Sequence, residues 1–428
     1  MKKIIFLLLF LPFVGAAQSG ILNKVKQKVK DRAEQRVDEG IDKTLDKTEE
    51  EIAGKGKQKE PAKEEKAESL ALKEAPAAPA FESYSRYDFV PGANMVYAED
   101  FSQDVIGEFP LLWGTDNRGE VVTIKGQEGK WLRMFHTSEF VGPQLKTLPS
   151  NFTVEFDMVL TFPNEGYVYP NILLKLLQSN ADDKDGRKYL GDVHSVSHAA
   201  MTISPGEEGS STIALSSQFN GEEYFNGGQK ALKKLDTYYG KPFHVAIWVQ
   251  KSRLRMWING EKIYDIPQAV SADMVFNRLA LGVSSCYYEE EKVGAYISNI
   301  RIAEGLADAR NKLMTEGRWV THGILFDVAS AKIKPESAGV LKEIADILKE
   351  NVSLTIKIIG HTDSDGDDAK NIDLSKRRAA TVKEALVKSF GVEASRMQTD
   401  GLGETKPLKE NTTKEGKAQN RRVEFIKL

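Results

Sequence analysis

Residues 360–379 read GHTDSDGDDAKNIDLSKRRA. Five aspartates (Asp363, Asp365, Asp367, Asp368 and Asp373) precede the basic run Lys376, Arg377 and Arg378, all close to Gly360, His361 and Thr362. Upstream, SLTIKIIG (353–360) alternates like a strand, and downstream DLSKRRAATVKEALVKSF (373–390) has helical spacing, with Leu374, Val382, Leu386 and Phe390 set to pack inward. Gly360, lacking a side chain, permits a sharp turn at the strand end. The strand then delivers His361, Thr362 and Asp363 into a loop, and the loop enters a helix that holds Ser375 and Arg378. This reads as an anionic acceptor and a cationic fork facing each other across one small pocket.

Around this stretch, GILFDVA (323–329) reads as a strand, PESAGVLKEIADILKEN (335–351) as an amphipathic helix started by Pro335, and NRRVEFIKL (420–428) as a final strand. Residues 320–428 are therefore expected to form an α/β domain with helices on one side of a small mixed sheet. Five ordered places, FDVASAKIKPES, GHTDSDG, NIDLSKRRA, GLGETKP and NRRVEF, resemble the OmpA-like peptidoglycan-binding domain shared with peptidoglycan-associated lipoprotein and the flagellar stator proteins. The resemblance implies a non-enzymatic protein of the Gram-negative envelope, in the periplasm and associated with peptidoglycan and the outer membrane. Its ligand would be diaminopimelate of the peptide stem, whose side chain ends in an ammonium and a carboxylate on one carbon. Asp363 would take the ammonium and Arg378 the carboxylate in bidentate geometry. Thr362 and Asn371 would orient the loop or add hydrogen bonds, and Asn420, Arg421 and Arg422 stand at the closing motif of the family. The chain departs from the pattern at Lys417, where the family usually has Arg, and in its unusually acidic loop 363–371.

From 88 to 305 the pattern changes. NFTVEFDMVLTF (151–162) places Phe152, Val154, Phe156, Met158 and Leu160 on one face and Thr153, Glu155 and Asp157 on the other, which is expected to be wet. FHVAIWVQKSRLRMWINGEKIYDI (243–266) supplies two or three strands with a hairpin turn at Asn259-Gly260, and AYISNIRIAEG (295–305) closes the set. Many short strands point to a two-sheet β-sandwich of jelly-roll type. RLRMWINGEKIYDI, TVEFDM and GAYISNIRIAEG resemble the concanavalin-like, laminin-G-type jelly roll, which implies a module for a glycan or an envelope protein. Glycosidases of that family carry Glu-x-Asp-x-x-Glu, whereas this chain has Glu155, Asp157 and then Leu160, so no catalytic residue is assigned. Two alternatives stay open: an exported polysaccharide hydrolase anchored by its C-terminus, and an outer-membrane β-barrel in place of the sandwich. His194 and His198 lack a third ligand nearby, and DDKDG (182–186) is only half a calcium loop, so no metal or cofactor is assigned. Trp113, Trp131, Trp248 and Trp257 read as core packing.

MKKIIFLLLFLPFVGAA (1–17) reads as a signal peptide cleaved after Ala16 or Ala17, without the cysteine of a lipid anchor. Residues 18–87 are charged. Leu22, Val25, Val29, Ala33, Val37, Ile41, Leu45 and Ile52 stripe one amphipathic helix over 20–53, open to contact with a membrane surface or a partner helix, and 54–80 reads as a disordered spacer. Residues 306–319 are a connector. Cys286 is the sole cysteine, so no intramolecular disulfide forms, and a net charge of −3 argues against nucleic acid.

Overall fold

The computed structural model describes residues 87–180, 183, 186–191, 196–305 and 308–428. The signal peptide, the 20–53 helix, the spacer, His194 and most of DDKDG lie outside the described residues.

Two antiparallel sheets, of eight and seven strands, make up the first domain. In the larger, Asn151–Thr161 is central, paired with Phe243–Gln250 on one side and Gly294–Glu304 on the other. In the smaller, Ile172–Leu177 pairs with Arg278–Val283 and His198–Ser204. Phe152, Val154, Phe156, Met158 and Leu160 meet Leu174, Leu176, Met201, Leu215, Leu279 and Leu281 in one apolar core. Burying these faces against each other leaves two open sheets around a dry interior, so the barrel reading fails: the apolar faces point inward, where a barrel would turn them to lipid. Asn259 (φ 46°) and Gly260 (φ 79°) both lie in the left-handed region, as a two-residue hairpin turn between Arg253–Ile258 and Glu261–Ile266 requires. Trp113, Trp131 and Trp257 are buried, and Trp248 is half-buried under the Arg255 guanidinium at 4.2 Å. His198 is a buried strand residue with Nδ1 2.7 Å from the Val196 carbonyl. Among the described residues no helix is long and apolar enough to cross a membrane.

The expectation of a wet outer face on the 151–161 strand is overturned: Thr153 and Glu155 are only 2% and 4% exposed. Tyr87 and Phe89 lie across the outside of this sheet against Trp257, with ring centroids 6.3 and 5.2 Å away, and Ala338 of the C-terminal domain joins the same cluster. Alternation reports that two faces differ; here the second face meets another domain rather than water.

The C-terminal domain has a four-stranded mixed sheet in the order Arg318–Thr321, Val423–Lys427, Ile356–His361, Met397–Gly403, whose last pair is parallel. The helices Ala338–Glu350 and Asp368–Phe390 share one core with it, through Val340, Ile344, Leu348, Val382 and Leu386 against Ile356, Ile358 and Phe425. Ala309, Leu313 and Trp319, in the stretch read as a connector, are fully buried in that core. GILFDVA forms no full strand. Its Phe326 makes a single bridge to Ile333, closing a hairpin-like loop.

Candidate functional site

The site is built on a parallel strand pair, Ile356–His361 and Met397–Gly403, with the long helix Asp368–Phe390 laid against both. A Cβ at Gly360 would run into the Ser375 carbonyl, and one at Gly401 into the Lys376 backbone nitrogen. Gly360 is not among the residues with positive φ, so it is required by close backbone approach rather than by the expected turn. Ser375, fully buried, donates to the Ile372 carbonyl at 2.8 Å and accepts from the Gly403 N–H at 2.9 Å, which ties helix to strand. The inward row is Ser375, Ala379, Val382, Leu386 and Phe390; Leu374, expected in that row, is half-buried at the cleft. We expect Gly360→Ala to cost about 1–3 kcal/mol by overpacking and to weaken ligand binding by displacing the helix. A urea melt and binding curve matching wild type would show that the helix is not seated there.

This seating sets Arg378 at the cleft. Its Nε donates to the Ser330 carbonyl at 2.9 Å, and its guanidinium lies over the Phe326 ring at 4.8 Å. Burial pulls its pKa down to about 10, still well above neutral. Among the described residues no carboxylate lies within ion-pair distance of it. Asp363, 8% exposed, accepts from the Asp365 N–H at 3.2 Å and from Arg421 Nη1 at 2.6 Å. Arg421 is half-exposed, so a cation already sits on the carboxylate that the zwitterion reading assigns to an ammonium.

The other residues singled out by sequence divide between loop support and cleft. Asn371 donates to Glu404 Oε2 at 2.7 Å and to the Asp365 carbonyl at 3.1 Å, holding the loop. Thr362 is buried, its N–H bonded to the Gly403 carbonyl, while its Oγ1 has no hydrogen-bond partner among the described residues. Asn420 is fully buried and pins the 408–411 segment through Leu408 N, Lys409 N and Asn411 Oδ1. Arg422 is buried against Glu424 at 2.6 Å and the Lys406 carbonyl. Of the closing motif, Arg421 alone reaches Asp363. The remaining acids act locally: Asp365 pairs with Lys417 at 2.7 Å, Asp367 caps the helix through Lys370 N, and Asp373 pairs with Arg377 one turn on. His361 is held neutral, its pKa near 4, by burial and then by the Arg422 charge.

The cleft that contains Asp363, Arg378, Thr362, Asn371 and Arg421 measures about 900 Å³, and its other wall is the sandwich, with Asp100, Asp157, Asn299 and Arg301. Behind that wall lies a buried ionic cluster. His244 sits between Asp157 Oδ1, 2.7 Å from its Nδ1, and Glu155 Oε1, 3.3 Å from its Nε2. Arg301 Nη2 donates to Glu155 at 2.9 Å, and Asn299 Nδ2 to Asp157 at 2.8 Å. Burial opposes charge on His244, but its hydrogen bond to Asp157 and the adjacent Glu155 carboxylate prevail and hold its pKa at about 9. Burial likewise pushes both carboxyls up, yet Arg301 and His244 hold Glu155, and His244 and Lys334 hold Asp157, below the ordinary carboxylate range. Sequence periodicity gave no sign of this wall, because its residues lie between 62 (Arg301) and 263 (Asp100) positions from Asp363.

Residues 325–421 match the OmpA family. The chain is 47% identical over 104 residues to "Probable lipoprotein YiaD" of Escherichia coli (strain K12), covering 24% of this chain and 47% of that protein. It is 45% identical over 101 residues to "Outer membrane porin F" of Pseudomonas aeruginosa, covering 24% and 29%. It thus spans less than half the length of these two relatives. Against "Outer-membrane lipoprotein YfiB" of Pseudomonas aeruginosa it is 32% identical over 151 residues, covering 35% of this chain and 87% of that protein. With its Gly-seated helix and Asp363 loop inside the matched span, which ends within the closing motif at Arg421, the chain belongs to the OmpA family through its C-terminal domain.

Proposed function

We propose that the protein is a non-enzymatic anchor of the Gram-negative envelope, acting in the periplasm, which binds peptidoglycan non-covalently by taking the diaminopimelate zwitterion between Asp363 and Arg378. The observation that carries this reading is Arg378: a partly desolvated guanidinium with one backbone bond, no carboxylate of its own among the described residues, and a cleft in front of it. A planar fork so placed is matched by a ligand carboxylate. Arg421 on Asp363 stands in for the ligand's ammonium, which would exchange with it. The outer-membrane and lipoprotein names of the relatives support the location. In this reading the sandwich is a module held at the wall to meet a glycan or an envelope protein. A hydrolase is disfavoured because Glu155 and Asp157 are both tied up in ion pairs and held ionised, while Leu160 lies in the inter-sheet core. The test is co-sedimentation of the full chain with sacculi whose stems carry diaminopimelate or lysine. The chain should pellet with the first and stay largely soluble with the second; equal pelleting would refute zwitterion reading.

A further inference from the structure

The cleft is larger than a zwitterionic side-chain end requires; about 300–1,000 Å³ is the range of sites that enclose a whole small ligand. Its rim loop, residues 325–334, supports Arg378 through Phe326 and Ser330, and ends at Lys334 on the seam between the two domains. The Lys334 side chain is 33% exposed, and among the described residues its one carboxylate neighbour is Asp157, at 3.8 Å. Asp157 is already bonded to His244 and Asn299. At this seam two carboxylates, Glu155 and Asp157, face three basic side chains, His244, Arg301 and Lys334. The other acids on the sandwich wall have their own partners: Glu99 shares Lys414 with Asp104, and Asp100 accepts from the Ser102 hydroxyl. Lys334, the most distant of the partners of Asp157, is therefore open to a further carboxylate from the cleft. His322, His361 and Thr362 line the same cleft, all buried, and each has a polar atom without a hydrogen-bond partner.

We propose that Lys334, set in place by the sandwich through Asp157, takes a second carboxylate of the same stem peptide, so that the two domains together read a stem bearing two carboxylates. This rests on the zwitterion reading above. Two groups carry the required chemistry: the α-carboxylate of the γ-linked D-glutamate preceding diaminopimelate, and the C-terminal carboxylate of the stem.

The test is calorimetric titration of the full chain and of Lys334→Met with free meso-diaminopimelate and with the stem tetrapeptide, whose terminal carboxylate belongs to the residue after diaminopimelate, in three forms: both carboxylates free, the glutamate carboxylate amidated, or the terminal carboxylate amidated. Wild type should lose about fivefold in affinity on amidation of one of the two carboxylates, and which one identifies the group taken. Lys334→Met should lose that preference while binding free meso-diaminopimelate like wild type. Equal wild-type affinity for all three tetrapeptides would overturn the proposal, as would a Lys334→Met loss as large for free meso-diaminopimelate as for the tetrapeptide. A carboxylate preference that persists without any binding of free meso-diaminopimelate would instead overturn the zwitterion reading and leave the Lys334 site standing.

Discussion

Arg378→Ala is expected to weaken binding of the full chain to diaminopimelate-containing sacculi at least tenfold while leaving the fold intact. A hydrogen bond to a charged group contributes about 1.5–3 kcal/mol, and 1.4 kcal/mol is a factor of ten. Arg378 offers the ligand both Nη groups, because among the described residues only its Nε is hydrogen-bonded, to the Ser330 carbonyl. Arg378→Lys should recover little, since an ammonium cannot reproduce the fork or its stacking on Phe326. Sedimentation gives the pelleted fraction and a thermal melt checks folding. A folded Arg378→Ala chain that pellets like wild type removes Arg378 from the site.

The second large effect is expected in the sandwich. His244→Leu strips the shared cation from Glu155 and Asp157, and breaking a buried ion pair from one side costs about 3–5 kcal/mol. Its pH dependence follows from the raised pKa. The unfolded imidazole titrates near 6.5 and the folded one near 9, so the His244 contribution is complete below 6.5 and fades as pH rises through 9. Glu155 and Asp157 behave oppositely. Their folded pKa values are depressed, so their contribution holds above the ordinary carboxylate range and is lost on acidification. Urea melts of both chains at pH 6 and pH 9.5 should show a wide stability gap at the lower pH and a narrow one at the higher. A gap that does not change with pH would mean that His244 is not charged in the folded protein.

What could be read from the sequence was local. The alternation at 151–161 correctly sent Phe152 through Leu160 to the core, because a period of two is a property of the strand itself. Asn259-Gly260 announced its turn because few residues adopt φ > 0. Asp363 and Arg378 could be placed near one cleft because fifteen positions of loop and helix join them. What escaped depends on how separate elements meet in space. Glu155 was expected in water and is roofed by Tyr87, Phe89 and the second domain. Lys414 ties itself to Glu99 and Asp104 across the domain seam, and no pattern within a helix or strand encodes such a meeting. Gly360 was legible as a glycine with a purpose, but whether that purpose was a turn or a close approach depended on where Ser375 would lie.

The most direct test of the account is a comparison of two stem tetrapeptides that differ only in the distal carboxylate, one carrying diaminopimelate and the other lysine at the third position. Both keep the side-chain ammonium that Asp363 would take; only the first offers Arg378 its carboxylate. Calorimetric titration of the full chain should show at least tenfold tighter binding of the diaminopimelate peptide, with the difference abolished in Arg378→Ala. Equal affinity of the wild-type chain for the two peptides would contradict it.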